Sequence, residues 1–433
     1  MGFSRCIHNP MHGGKGMDVI YQRCCGVDVH KKVLVVCLLS GKEKEIRNYG
    51  TSTDDLLSLL EWLEENDCEA VAMESIASYW KPLYNVLEAT DMKVIVANPQ
   101  HIKNVPGKKT DVKDAEWLAD LLRHGLIQAS FIPDKPQREL REQLKYRQSL
   151  VWNRTAELNR LQKMLEGGNI KLSGTVSNIL GKSSRVLLEG ILDKKKYTQE
   201  DIERMFEEHT LSNNLKASAE QLAKDLNGIL TDAQISMMKM CLEHIDYLTS
   251  TIKKLDKLID EALSLEQREA VEALTAIPGI SEISAKTIIA VIGTDMSRFP
   301  SERHLSKWAG ICPGNNESAG KRRSGRTNKG NALLRTTLVQ CAQSASRVSD
   351  SFFAAQYSRL VIRRGANRAK VAVAHSMLIA IWHMLSFKVA FVDLGSEYYN
   401  QFNREKKANA LKKKLIALGF DVSIAEKELP EAM

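Results

Sequence analysis

Two apolar runs sit back to back near the start of the chain, Arg23-Cys-Cys-Gly-Val-Asp-Val-His30 and Val33-Leu-Val-Val-Cys-Leu-Leu-Ser40, with only Lys31 and Lys32 between them. Runs this short, joined by a polar turn, read as antiparallel strands rather than helices. A charged strand from Lys42 to Tyr49 follows. Thr53 then caps a helix bearing Leu56, Leu57, Leu60 and Leu63, and a buried strand Glu69–Met73, a helix Tyr79–Ala89 and a strand Lys93–Ala97 come next. Thr110 precedes a helix that turns Ala115, Leu118, Leu121 and Leu122 inward and ends at Gly125. Three strands followed by alternating helix and strand predict an α/β domain with a mixed sheet over residues 21–130, behind a flexible leader at 1–20.

From about Lys135 the pattern changes to long helices, giving an all-α remainder. Leu144, Val151, Leu158 and Leu165 recur every seven residues, and Met238, Cys241, Ile245, Leu248, Ile252, Leu255, Ile259 and Ala262 keep a 3,4 spacing. That is the seam of a coiled coil. Residues 131–266 are therefore expected to form a coiled-coil-like hairpin or an oligomerisation arm, with a less regular insertion at about 167–232. A helical unit at 267–395 opens on Leu274-Thr-Ala-Ile-Pro-Gly-Ile280, whose Pro-Gly turn resembles that of a helix-hairpin-helix and makes Gly279 a candidate phosphate contact. Such turns also join helices that bind nothing. A basic helical tail, 396–433, closes the chain.

At 433 residues the chain is long enough for two or three packed domains. No uncharged apolar run approaches the roughly 20 residues of a bilayer span; the longest candidate, around Val371 to Val389, is broken by His375, His383 and Lys388. The N-terminus lacks the apolar segment of a secretory signal. A cytoplasmic protein with no membrane association is expected. The eight cysteines fit a reducing compartment, since none pairs at C-x-x-C spacing, and most read as small core residues. Cys6, His8 and His12 make only a weak metal-binding pattern.

The net charge of +8 is concentrated. Residues 301–340 hold eight Lys and Arg, including Lys321, Arg322, Arg323, Arg326, Lys329 and Arg335, against Glu302 and Glu317 alone. Cations clustered among Gly, Ser and Asn attract a phosphate backbone, although a solvated charged loop has the same composition.

Four carboxylates carry the candidate chemistry. Asp28 lies inside an apolar strand, where a carboxylate costs several kcal/mol unless compensated. Glu74 ends the strand Ala70-Val-Ala-Met-Glu74, and Asp111 and Asp114 share one face of a helix's first turn. Together they suit an oxygen-ligand cage for Mg²⁺ or Mn²⁺ in phosphoryl transfer. Taken alone, Asp111 and Asp114 are also what a helix dipole favours at its N-terminus. In the basic stretch Pro313–Asn331, Ser318 is followed by Ala319 and Gly320 and surrounded by cations. It is a candidate nucleophile, as is Ser324, and either serine has an ordinary loop role as its alternative.

Seven motifs in fixed order give the chain a family resemblance: Gly26-Val-Asp-Val-His-Lys-Lys32, Ala72-Met-Glu-Ser-Ile-Ala-Ser-Tyr-Trp80, Asn98-Pro-Gln100 with Lys109-Thr-Asp-Val-Lys-Asp-Ala115, Ile277-Pro-Gly-Ile280, Trp308-Ala-Gly-Ile-Cys-Pro313, Glu317-Ser-Ala-Gly-Lys321 and Gly330-Asn-Ala-Leu-Leu-Arg335. The sequence resembles insertion-sequence transposases that join an N-terminal DEDD domain of Holliday-junction-resolvase type to a C-terminal serine transposase domain, a group that includes pilin-gene invertases and bridge-RNA-guided recombinases. The resemblance implies an RNase-H-like (RuvC-like) N-terminal fold and a metal cluster of Asp28, Glu74, Asp111 and Asp114. It also implies a nucleophilic Ser318, donor and target DNA as substrates, a structured non-coding guide RNA, and a homo-oligomer assembling from dimer to tetramer. The serine has no adjacent proton acceptor in sequence except Glu317, so the DEDD groups are expected to complete a composite site.

Two other readings stay open on the residues alone. One is a DEDD metal-dependent junction-resolving nuclease that forms no covalent intermediate, and the other is a DNA-bridging architectural protein.

Overall fold

The computed structural model describes residues 18–98, 111–176, 178–212, 215, 217–314, 316–318, 321–401 and 404–423. Cys6, His8, His12 and the Thr110 cap expected from the sequence lie outside these residues. The chain divides into two compact units between Ile132 and Pro133.

In the first unit, β1 (Arg23–Val29), β2 (Leu34–Ser40), β3 (Glu43–Tyr49), β4 (Ala70–Glu74) and β5 (Lys93–Ala97) form one sheet in the order β3-β2-β1-β4-β5. β1 pairs antiparallel with β2, and β2 with β3, while β1–β4 and β4–β5 are parallel. This is the mixed sheet that the run of three strands predicts, with the RNase-H-like form that the resemblance implies. Alternation along β1 sends Cys25, Val27 and Val29 into a core with Leu56, Leu59 and Leu63 of α1 (Thr53–Glu65) and Leu83 and Leu87 of α2 (Trp80–Leu87). Cys24 faces the other way, against Ala115, Ala119 and Leu122 of α3 (Asp111–Arg123). The α1 cap is Ser52, one residue earlier than expected, because its hydroxyl accepts from the Asp55 amide while the Asp55 carboxylate accepts from the Ser52 amide.

The second unit starts with an antiparallel helical hairpin of α4 (Lys135–Gly167) and, further along the chain, Asp232–Ala262. Arg147 pairs with Asp256, Arg154 donates to Thr249, and Glu157 meets His244, so the partner of the apolar stripe is the same chain. The strict heptad does not stay on the seam. Leu144 and Leu165 are buried and Val151 and Leu158 only partly so, while Leu242 of the second helix and Leu263 just past its end are buried where Cys241 and Ala262 were expected. A straight α-helix drifts about 20° per heptad, which carries the apolar positions round its axis. The insertion supplies α5 (Leu172–Thr175), α6 (Lys182–Leu192), α7 (Gln199–Glu207) and α8 (Ala219–Leu226), which cap the hairpin end with their own core around Leu161, Leu187, Leu222 and Met238. Asp232–Ala262 is α9.

Beyond it come α10 (Leu265–Thr275), α11 (Glu282–Ile292), a 3₁₀ turn (Met296–Arg298), α12 (Glu302–Trp308), the hairpin of β6 (Asn316–Ser318) and β7 (Lys321–Ser324), α13 (Ala332–Ala345), α14 (Phe352–Arg364) and α15 (Ala366–Phe387). Two short helices, α16 (Gly395–Gln401) and α17 (Arg404–Ala417), follow. By length and composition α15 is the one described helix able to cross a membrane, contrary to the expectation that its histidines would break the run, and a third of its apolar window is buried in the protein. Val373, Met377 and Ile381 lie in the core, and Trp382 Nε1 donates to Phe299 O. The seven described cysteines are free thiols, five of them buried.

Candidate metal centre and nucleic-acid interface

Parallel pairing of β1 with β4 places Val27 opposite Met73, so the next residue on each strand is Asp28 or Glu74. The two carboxylates therefore end neighbouring strands on the face covered by α3. Gly26 lets that helix approach. A Cβ at position 26 would stand 2.2 Å from Ala115 O and 2.4 Å from Ala119 N. The close approach brings the first turn of α3, with Asp111 and Asp114, to the end of β1.

Asp28 is only 5% exposed. Burial holds its carboxyl above the usual carboxylate range, the neighbouring His30 opposes that shift, and the charges of Asp111 and Asp114 add to it. His30 Nε2 stands 3.1 Å from Asp28 Oδ2 and 3.5 Å from Asp111 Oδ2. Asp28, His30 and Asp111 each offer one ligand atom within 4.8 Å of the others. Glu74, half-buried at the adjacent strand end, and Asp114 on the first turn of α3 are not part of that group. A buried carboxylate facing further carboxylates fits a divalent cation, which would relieve both burial and repulsion. Two carboxylates and an imidazole suit Mn²⁺ as well as Mg²⁺. The imidazole was missed in the sequence reading, although its i, i+2 spacing from Asp28 along a strand is the signal that finds it.

In the second unit the β6–β7 hairpin presents Ser318 at its tip, with Lys321 as its backbone partner, above a bridge between Pro313 and Thr327. The side chains of residues 315–324, including Ser318, Lys321, Arg322, Arg323 and Ser324, lie outside the described set. Gly279 has a packing role. It adopts φ +87°, and a Cβ there would meet Cys341 O and Ala345 N of α13 at 2.5 Å. Arg326 and Arg335 line a cleft of about 1110 Å³ at the foot of the hairpin, together with Arg364, Asn367, Arg368 and His375 of α14 and α15. None of these last four reads as a nucleic-acid contact in the sequence, where His375 figures only as a break in an apolar run. Burial pushes the His375 imidazole below its usual value. Lys329 is exposed and does not line the cleft.

An acidic cluster on an RNase-H-like sheet and a basic helical domain define an enzyme that processes DNA. Residues 25–170 match a DEDD-type transposase model of the IS110 group, and residues 271–358 match the "Transposase IS116/IS110/IS902 family" model. The chain is 24% identical over 375 residues to the transposase for insertion sequence element IS1111A of Coxiella burnetii, covering 83% of this chain and 89% of that one. It is also 24% identical over 339 residues to y4qE of Sinorhizobium fredii, a protein assigned as a transposase, covering 76% and 73%. The two family matches together span more than half of the chain, the first covering most of the first unit and the long helix that opens the second, the other lying within the second unit. The protein belongs to the IS110/IS116 insertion-sequence transposases and is a DNA recombinase.

Proposed function

We propose that this transposase cuts and rejoins DNA through a covalent serine–DNA intermediate. Ser318 Oγ attacks the phosphorus of a phosphodiester, a phosphoserine ester forms, and the displaced hydroxyl end takes up the proton. Attack by a DNA hydroxyl on that ester then restores a phosphodiester and the free serine. The bond energy is kept in the ester, so no nucleotide cofactor is consumed. Asp28, Glu74, Asp111 and Asp114 would hold Mg²⁺ or Mn²⁺, which when bound supplies positive charge for the developing phosphorane. Lys321, Arg322, Arg323, Arg326, Lys329 and Arg335 neutralise the backbone on either side of the cut. The Pro-Gly turn at Gly279 is a further candidate contact, through its backbone amides, beside the packing role of that glycine.

The observation that carries this reading is the buried Asp28 carboxylate, grouped with Asp111 and His30 at the end of β1 in a chain of this family. We further propose that a structured RNA from the element's non-coding end selects donor and target DNA in the cytoplasm of a prokaryotic cell. The protein acts as a homo-oligomer, dimers assembling to a tetramer, which covers the exposed Trp152 and Tyr247 of the helical hairpin.

The test is a suicide DNA substrate incubated with the full-length protein, the element's RNA and Mg²⁺. A denaturation-resistant adduct that maps to Ser318 and is lost in Ser318→Ala supports the serine mechanism. Cutting that persists in Ser318→Ala without an adduct means a metal-dependent junction-resolving nuclease, and an adduct at Ser324 transfers the nucleophile to that residue.

A further inference from the structure

Cations that serve the fold are satisfied within it, several of them by carboxylates. Arg185 pairs with Glu189 and Asp246, Lys286 with Asp260 and Glu282, and Arg147 with Asp256. The cleft below the β6–β7 hairpin is different. Arg326, Arg335, Arg364 and Arg368 converge on it from the hairpin foot, α13, α14 and α15, and among the described residues no carboxylate lines it. Among the described residues, Arg335, Arg364 and Arg368 make no ion pair. Guanidinium groups gathered around one cavity repel each other, and the arrangement becomes favourable when an anion enters. The volume, about 1110 Å³, exceeds the roughly 300–1,000 Å³ of small-molecule sites. Asn367, Gln356 and Ser376 add uncharged hydrogen-bonding groups to the wall.

We infer that this cleft seats the DNA phosphodiester backbone flanking the phosphate that Ser318 attacks. The position follows from the hairpin. Ser318 is five residues beyond Pro313, which bridges to Thr327 at the hairpin foot and lines the cleft. At about 3.3 Å per residue the strand reaches no more than ~17 Å. With a rise of 3.4 Å per nucleotide, the seated phosphates lie within about five base-pair steps of the cut. Arg364 and Arg368 thereby become positioning residues: they fix which phosphodiester reaches the hairpin tip. The distance rests on the serine reading, whereas the cleft's affinity for DNA does not.

The experiment uses the full-length protein and a labelled duplex spanning the element's end. Arg364→Gln/Arg368→Gln removes two cations from exposed helix-terminal positions, and Lys413→Gln/Lys414→Gln removes two from the tail helix, which does not line the cleft, as a charge-matched control. The cleft variant should lower the log-log salt slope of binding by about 1.8, the value for two phosphates, while the control leaves it unchanged. Single methylphosphonates, walked across about five positions on either side of the junction, should weaken wild-type binding at one or two sites and have no further effect there in the cleft variant. Equal slope losses in both variants, or interference insensitive to Arg364 and Arg368, would overturn the assignment. So would a slope that falls only on the element's RNA, which makes the cleft an RNA site. If the slope falls but no Ser318 adduct forms, the cleft stands and its distance from the cut is refuted. If the adduct forms and the slope is unchanged, the cleft fails alone.

Discussion

His30 Nε2 lies 3.1 Å from Asp28 Oδ2, so an imidazole contacts the most buried carboxylate of the acidic cluster where a divalent ion has its natural place. Asp28 is held above the usual carboxylate range by burial, with the charges of Asp111 and Asp114 adding to the effect. A bound dication reverses both causes. Mg²⁺ or Mn²⁺ should therefore stabilise the folded protein, by about 2.7 kcal/mol at a concentration one hundred times its Kd, and Asp28→Asn should abolish that gain. His30→Ala should cost more Mn²⁺ than Mg²⁺ affinity, since imidazole suits the former better. Thermal melts with each metal measure this. An equal loss for both ions would reduce His30 to a residue that orients Asp28.

Gly26 controls the same cluster from behind. Replacing it with Ala puts a methyl group 2.2 Å from Ala115 O, which only displacement of α3 or β1 relieves. Overpacking of this kind costs about 1–3 kcal/mol. Because α3 carries Asp111 and Asp114, the metal-dependent gain in Tm should fall along with the stability. Lost stability with unchanged metal affinity would show that the helix position does not set the cluster.

Much of the first unit is legible in the sequence because its central strands are buried on both faces, by α1 and α2 on one side and α3 on the other, so that Asp28 stands out as the charge in an apolar run. Glu74 is legible for a related reason: it is the first charge after Ala70-Val-Ala-Met73. The seam of the long helices is less readable, since heptad spacing and helical pitch diverge over the 31 residues of α9, and Leu242 is buried where Cys241 was expected. The cleft is readable only in part: Arg326 and Arg335 stand out in the basic stretch, whereas Arg364 and Arg368 do not. Arg335 and Arg368 are 33 positions apart, and only the packing of α13 and α14 on α15 brings them to one cavity.

The histidine in that cleft gives a pH signature. Burial holds His375 below its ordinary value of 6.5, so the unfolded chain binds more protons than the folded one between the lowered value and 6.5. Its contribution to stability therefore rises with pH through that window and is lost as the pH falls below it. Calorimetry at pH 7.5 and 5.5 should show a drop in Tm on acidification that is smaller in His375→Gln. Protonation among Arg326, Arg335, Arg364 and Arg368 adds a fifth cation, so bound duplex DNA should offset the loss. An acid-induced drop identical in the variant would assign it to other groups.

The basic hairpin and the Pro-Gly turn are both candidate DNA contacts, and they are separable. Replacing Lys321, Arg322, Arg323 and Arg326 with Gln removes four cations, which should reduce the salt slope by up to about 3.6 while leaving the helical core intact. Gly279→Ala acts through the fold instead: φ +87° disfavours any side chain, and the added methyl meets Cys341 O and Ala345 N at 2.5 Å. Backbone strain of this kind costs about 1–3 kcal/mol. Melting should therefore shift in Gly279→Ala and stay put in the hairpin variant, whereas the salt slope should do the reverse. A slope that changes in folded Gly279→Ala would place the turn on the DNA, and a slope unmoved by the hairpin variant would make the cluster a solvated loop.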